Sequence, residues 1–119
     1  MSELDQAFDL VAAYFSVMSE PMRLKILHAI CEKEKTVSEI VEELNATQTN
    51  VSRHLSLMHR GGVVARRKEG NQAFYRIADT VMLEICRTVC TRIAGHIDER
   101  APLRRGLLKL IPKPRHKSA

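Results

Sequence analysis

Cys86 and Cys90 stand four positions apart in the run ICRTVC, a spacing that puts two thiols on one helix face about one turn from each other. Two thiolates so placed can clamp a soft ion such as As(III), Cd(II) or Cu(I), with a third ligand from Cys31 or from a second copy of the chain. Oxidation is a second chemistry open to them, although a helix holds such alpha carbons about 6 Å apart with side-chain directions that suit a disulfide badly. A third reading leaves both as small hydrophobes on an apolar stripe. The other chemistry-bearing set is the polar run TQTNVSRH, residues 47–54. Gln48 and Asn50 can pair with adenine and Arg53 with guanine, Thr49 and Ser52 can reach bases or phosphates, and His54 completes the set. No nucleophile beside a base, no phosphate-cradling glycine loop and no carboxylate pair at catalytic spacing is present, which argues against an enzyme.

These residues need elements to hold them. Leu4, Phe8, Val11, Phe15 and Met18 recur at helical spacing over 4–18, and Pro21 suits the first turn of a second helix carrying Met22, Ile26, Leu27 and Ile30. Thr36 with Glu39 reads as a capping box for a third helix, and Asn45 as its left-handed stop. Thr47 then caps a fourth helix with Val51, Leu55 and Met58 inward, closed by Gly61 and Gly62. Beyond the glycines the period shortens to two: VVARRK, a turn at Glu69, Gly70 and Asn71, then QAFYRI, which together predict a hairpin. Asp79 or Thr80 caps a long helix over about 80–98 with Met82, Cys86, Val89, Ile93 and Ile97 on one stripe. Pro102 begins a short basic helix, and the closing PKPRHKSA has the composition of a disordered tail.

Charge is placed unevenly along the 119 residues, whose net is +5. Residues 1–20 contain four acids and no Lys or Arg, residues 101–119 contain six basic residues and no acid, and residues 51–77 set six basic residues against Glu69. A polyanion is the first partner to consider. No apolar run approaches the roughly 20 residues of a membrane span, and the acidic start is unlike a secretion signal. The expected location is cytoplasmic, where three cysteines do not form a structural disulfide framework. Apolar residues make up 45% and aromatics 4%, with no tryptophan, so the core is built from aliphatic side chains and favours helices.

Two short capped helices followed by a hairpin form a winged helix-turn-helix, in which the second helix enters the major groove front end first. The fold class expected is mainly α with a β-hairpin wing, and the partner double-stranded DNA. Arg66, Arg67 and Lys68 lead to the wing tip, with Asn71 and Gln72 beyond it, suited to the backbone or minor groove beside the helix. Residues 1–98 are read as the DNA-binding and dimerisation domain, and 99–119 as a basic, partly disordered extension. A winged helix used as a protein-interaction module is the rival reading.

The segments MSEPMRLKILHAI, TVSEIVEEL and TQTNVSRHLSLMHRGGVVARRKEGNQAFYRI together resemble the ArsR/SmtB family of bacterial winged-helix repressors, across about residues 6–95. The resemblance implies a homodimer joined mainly by the first and last long helices, an inverted-repeat operator, and repression relieved by an inducer. It also implies where an inducer could bind. Zinc sensors of the family place Asp and His two apart at the start of the last helix; Asp79 matches, but Val81 takes the second position, and His96 and Glu99 lie about one turn too far along. The cysteine pair of arsenic, cadmium and lead sensors is absent from 36–45, and for a persulfide sensor Cys31 is one turn displaced while Ala94 stands near the second cysteine's place. Cys86 and Cys90, with Cys31, therefore remain as the sensing candidates for a soft metal, a metalloid or a thiol-oxidising species. A repressor of this family with no metal site is the alternative.

Overall fold

The structure is a computed structural model and describes residues 1–97 and 102–111. It divides into two compact units, Met1–Ala78 and the residues from Asp79 onward.

In the first unit, Ser2 caps α1 (Glu3–Ser16), accepting from the Asp5 amide at 3.1 Å while Asp5 answers in a capping box. No residue of α1 is buried, and its apolar stripe, Leu4, Phe8, Val11 and Phe15, stays 52–64% exposed. The helix closes at Ser16 rather than at residue 18, because Val17–Ser19 tighten into a 3-10 turn. Pro21 occupies the first turn of α2 (Pro21–Ile30), whose cap is Glu20. Then come β1 (Lys35–Thr36), α3 (Val37–Leu44), α4 (Gln48–Arg60), β2 (Val64–Glu69) and β3 (Gln72–Ile77).

The caps expected between 36 and 62 are those observed. Thr36 and Glu39 form the capping box of α3, and Asn45 adopts φ 51, ψ 45. The Ala46 amide reaches Val41 O and the Asn45 amide Glu42 O, the paired bonds of a Schellman stop. At the far end of α4, Gly61 stays right-handed and Gly62 takes φ +78. The three strands are antiparallel in the order β1-β3-β2, with Arg66 opposite Tyr75 and Arg67 opposite Phe74. β1 was not expected; two residues are too short for any periodicity, and what makes them a strand is their pairing with Phe74 and Tyr75.

Ile26, Ile40, Val51, Leu55 and Met58 are 0% exposed and draw α2, α3 and α4 into one core, which Val63, Val64, Tyr75 and Ile77 extend to the sheet. Burial worth about 1.5–3 kcal/mol for each such side chain fixes α4 by its inner face.

In the second unit, Asp79 caps α5 (Thr80–Ala94), accepting from the Val81 and Met82 amides at 3.0 and 3.2 Å. Gly95 ends this helix before the expected limit near 98. α6 (Pro102–Leu110) follows, and Arg104 Nε donates at 3.2 Å to Ala94 O, a carbonyl at the end of α5 that also accepts from the Ile97 amide. Met82, Leu83 and Ala94 are buried, whereas Val81, Val89 and Ile93 are exposed. Glu99 and the tail 112–119 lie outside the described residues. Among the described residues no helix is long and apolar enough to cross a membrane.

Candidate nucleic-acid interface

The front of α4 is built by a division of its residues between two faces. Val51, Leu55 and Met58 turn inward, so the helical period carries Gln48, Thr49 and Arg53 outward, where all three are exposed, with Asn50 and Ser52 half-buried beside them. Thr47 Oγ1 accepts from the Asn50 amide at 3.2 Å, and no acid occupies the first turn. The remaining first-turn amides point out of the helix with the positive end of its dipole, an arrangement that attracts phosphate. Arg53 Nη2 donates to Asn50 Oδ1 at 2.9 Å, which turns the Asn50 amide nitrogen away from Arg53.

His54 departs from the expected set. It is 5% exposed, with Nε2 3.6 Å from Glu20 and Nδ1 3.4 Å from Arg23 Nη1. Position 54 follows Val51 by three residues and lies next to Leu55, so it belongs to the inner face and not to the front. Its imidazole is held below the usual histidine pKa, by burial foremost and by Arg53 and Arg23, against the opposing pull of Glu20.

The wing divides its basic residues in the same manner. Alternate residues of a strand point to opposite faces. Arg66 and Lys68 share the face on which Val64, Tyr75 and Ile77 lead to the core, and both are exposed; among the described residues neither forms an ion pair. Arg67 occupies the other face, where its guanidinium pairs with Glu34 and Glu69 and lies over the Phe74 ring. Those bonds hold the Glu34 carboxyl below the usual carboxylate range. Gly70 takes φ +61 at the tip, which only glycine adopts cheaply, and Asn71 and Gln72 are exposed there. Sequence reasoning missed Glu20, Arg23, Glu34 and Phe74, because each meets its partner across the fold and carries no local signal of doing so.

Cys86 and Cys90 share one face of α5 and are half-buried. Burial pushes both thiols up in pKa, and Cys90 adds to the effect on Cys86; Cys31 is raised as well, by burial and by Glu32. Among the described residues, no three His, Cys, Asp or Glu side chains lie close enough to hold a metal ion together.

A capped helix with a polar, cation-bearing front, beside a hairpin with two exposed basic residues, defines a winged helix-turn-helix DNA-binding protein. The family model for the bacterial regulatory proteins of the arsR family matches residues 20–66. The chain is 36% identical over 105 residues to a probable mercury resistance operon repressor of Streptomyces lividans, covering 77% of this chain and 84% of that one. Among solved structures, it resembles the homodimeric winged helix-turn-helix DNA-binding domain of Mb0332 from Mycobacterium bovis, with TM-score 0.73, 25% identity, and coverage of 85% of this chain and 94% of that one. Rv0081 of Mycobacterium tuberculosis matches with TM-score 0.68 and 29% identity, over 80% and 96% of the two chains. This protein belongs to the ArsR/SmtB family of DNA-binding transcriptional regulators.

Proposed function

We propose that this chain is a cytoplasmic homodimeric repressor that reads an inverted-repeat operator and releases it when a soft metal or metalloid ion, or a thiol-oxidising species, engages Cys86 and Cys90. The observation that carries the DNA reading is the outward front of α4. Gln48, Thr49 and Arg53 face solvent, with Asn50 and Ser52 half-buried beside them, on a helix whose opposite side is fixed by fully buried residues. Arg66 and Lys68 meet the phosphate backbone beside it, with Asn71 and Gln72 at the wing tip.

Dimerisation is supported by the apolar stripe that α1 leaves uncovered and by the exposed Val81, Val89 and Ile93 of α5. Monomeric proteins rarely leave large apolar patches to water. The Mycobacterium bovis relative is a homodimer, and a two-fold pair of reading helices matches a two-fold operator. Residues 1–98 would then serve both DNA binding and dimerisation.

For the inducer, the mercury resistance relative points to a thiophilic ion, and two thiols one turn apart suit such an ion. Any further ligand would come from the partner subunit. A repressor with no metal site is favoured by one observation: burial raises the pKa of both thiols, as in packing cysteines. Anisotropy titration against a palindromic duplex selected from a random pool tests the proposal, with Hg(II), Cd(II), arsenite and a thiol oxidant added to the complex. Sequence-selective, salt-sensitive binding that one of these agents reverses is the expected outcome. Equal affinity for all duplexes would leave the interaction-module reading in its place.

A further inference from the structure

We propose that His54 is a positioning residue for DNA reading: its buried imidazole, bridged to Glu20 and Arg23, locks the front of α4 to the end of α1 and the start of α2. The inference rests on α4 being the DNA-reading helix. Arg23 is the hub of this bridge. Its Nε donates to Val17 O and its Nη2 to Ser16 O, both at 2.8 Å, so one guanidinium occupies the carbonyls where α1 gives way to the 3-10 turn. Its Nη1 lies 3.4 Å from His54 Nδ1. Glu20 Oε2 accepts from the Arg23 amide at 3.1 Å as the cap of α2 and stands 3.6 Å from His54 Nε2.

A guanidinium only donates, so the Arg23 contact is a hydrogen bond in the tautomer that leaves Nδ1 bare and carries the single ring proton on Nε2, the nitrogen 3.6 Å from the Glu20 carboxylate. His54 immediately follows Arg53 and lies one turn beyond Asn50, so the ring that anchors the inner face also sets the roll of the residues on the outer one. Apolar packing around Val51 and Leu55 holds the helix down; the polar bridge adds a direction to it.

A second proton would put an N–H at Nδ1 against the Arg23 guanidinium. The charged groups that bear on the ring are Glu20 and Arg23 at the start of α2 and Arg53 on its own helix. The folded state holds the imidazole below its ordinary value of 6.5, so it favours the neutral ring. The bridge is therefore intact above that value and is lost as pH falls through the lower folded one.

The test uses the full-length protein, with affinity measured for a selected palindromic duplex and for a random duplex of equal length, each over a salt series and from neutral pH into the acid side of the imidazole range. His54→Ala is expected to weaken the selected duplex by about tenfold or more, to leave the random duplex within about twofold, and to keep the wild-type salt slope. His54→Gln, whose amide can accept from Arg23 and donate to Glu20, should restore most of the affinity and remove the weakening on acidification. Arg23→Lys, with one nitrogen for three acceptors, should reproduce the selective loss and decides the matter should His54→Ala fail to fold. Unchanged selective affinity in Arg23→Lys and in any folded His54→Ala overturns the proposal. So does a loss that is equal on both duplexes with a shallower salt slope, because His54 would then touch DNA directly. Wild-type protein that prefers no duplex removes the α4 reading and this inference with it, a result distinct from selective wild type with indifferent variants.

Discussion

The Arg67 guanidinium carbon lies 4.5 Å from the centre of the Phe74 ring, its cross-strand neighbour, on the hairpin face away from Arg66 and Lys68. With Glu34 and Glu69 pairing it from the loop before β1 and from its own strand, Arg67 braces the wing. Arg66→Ala and Lys68→Ala should each reduce the salt slope of log affinity by about 0.9, the value for one phosphate contact. Arg67→Ala should leave the slope near wild type and lower the thermal midpoint instead. Affinity over a salt series, with melting followed by circular dichroism, distinguishes the two roles; an Arg67→Ala slope reduced like that of its neighbours would move it to the DNA.

The front of α4 predicts a different signature. Arg53→Ala and Gln48→Ala should each lose about 1–3 kcal/mol of discrimination at one operator position and relax preference there, while salt dependence stays close to wild type for Gln48→Ala. Binding to a panel of single-base operator variants measures this directly. A uniform weakening at every position would make these residues backbone contacts.

Much of the fold that carries this candidate interface was legible in the sequence, and the reason is local. A cap, a left-handed stop and a glycine turn act within three or four residues of themselves, so Thr36 with Glu39, Asn45, Thr47 and Gly70 announced the helix-turn-helix and the wing. What the sequence does not announce is long-range. His54 was grouped with its polar neighbours, yet its partners stand 31 and 34 positions earlier, at Arg23 and Glu20. Arg67 was grouped with Arg66 and Lys68 by charge, although strand alternation alone separates it from them, and Glu34 arrives from a different loop. The early end of α5 at Ala94 follows from Gly95, which the apolar stripe running on to Ile97 had masked.

Asn45 offers a stability test of the turn between α3 and α4. At φ 51 it holds a conformation that costs a residue with an ordinary side chain about 1–2 kcal/mol. Asn45→Ala should be destabilised by roughly that amount in urea unfolding, and Asn45→Gly should match or exceed wild type. An alanine variant as stable as wild type would mean that the turn is relieved of strain by some rearrangement.

The thiols give a pH prediction. Burial raises the pKa of Cys86 and Cys90, so at neutral pH a metal must displace protons to bind. Affinity for a thiophilic ion should therefore rise as pH rises toward the thiol range and fall on acidification, with proton release visible in calorimetry across buffers of different ionisation enthalpy. Cys86→Ser with Cys90→Ser should retain operator binding and lose release by the ion; a double variant that still responds would assign sensing elsewhere.

Thr36 belongs to two constructions at once. It faces Phe74 across the small sheet, and its hydroxyl starts α3 by accepting from Glu39 N at 3.2 Å. Threonine is suited to both trades, since its branched carbon favours extended pairing while its oxygen serves as a helix cap. Hairpin and helix pair thereby share a common joint, and the protein would present them to a double helix as one blade: what tilts the wing also tilts the reader.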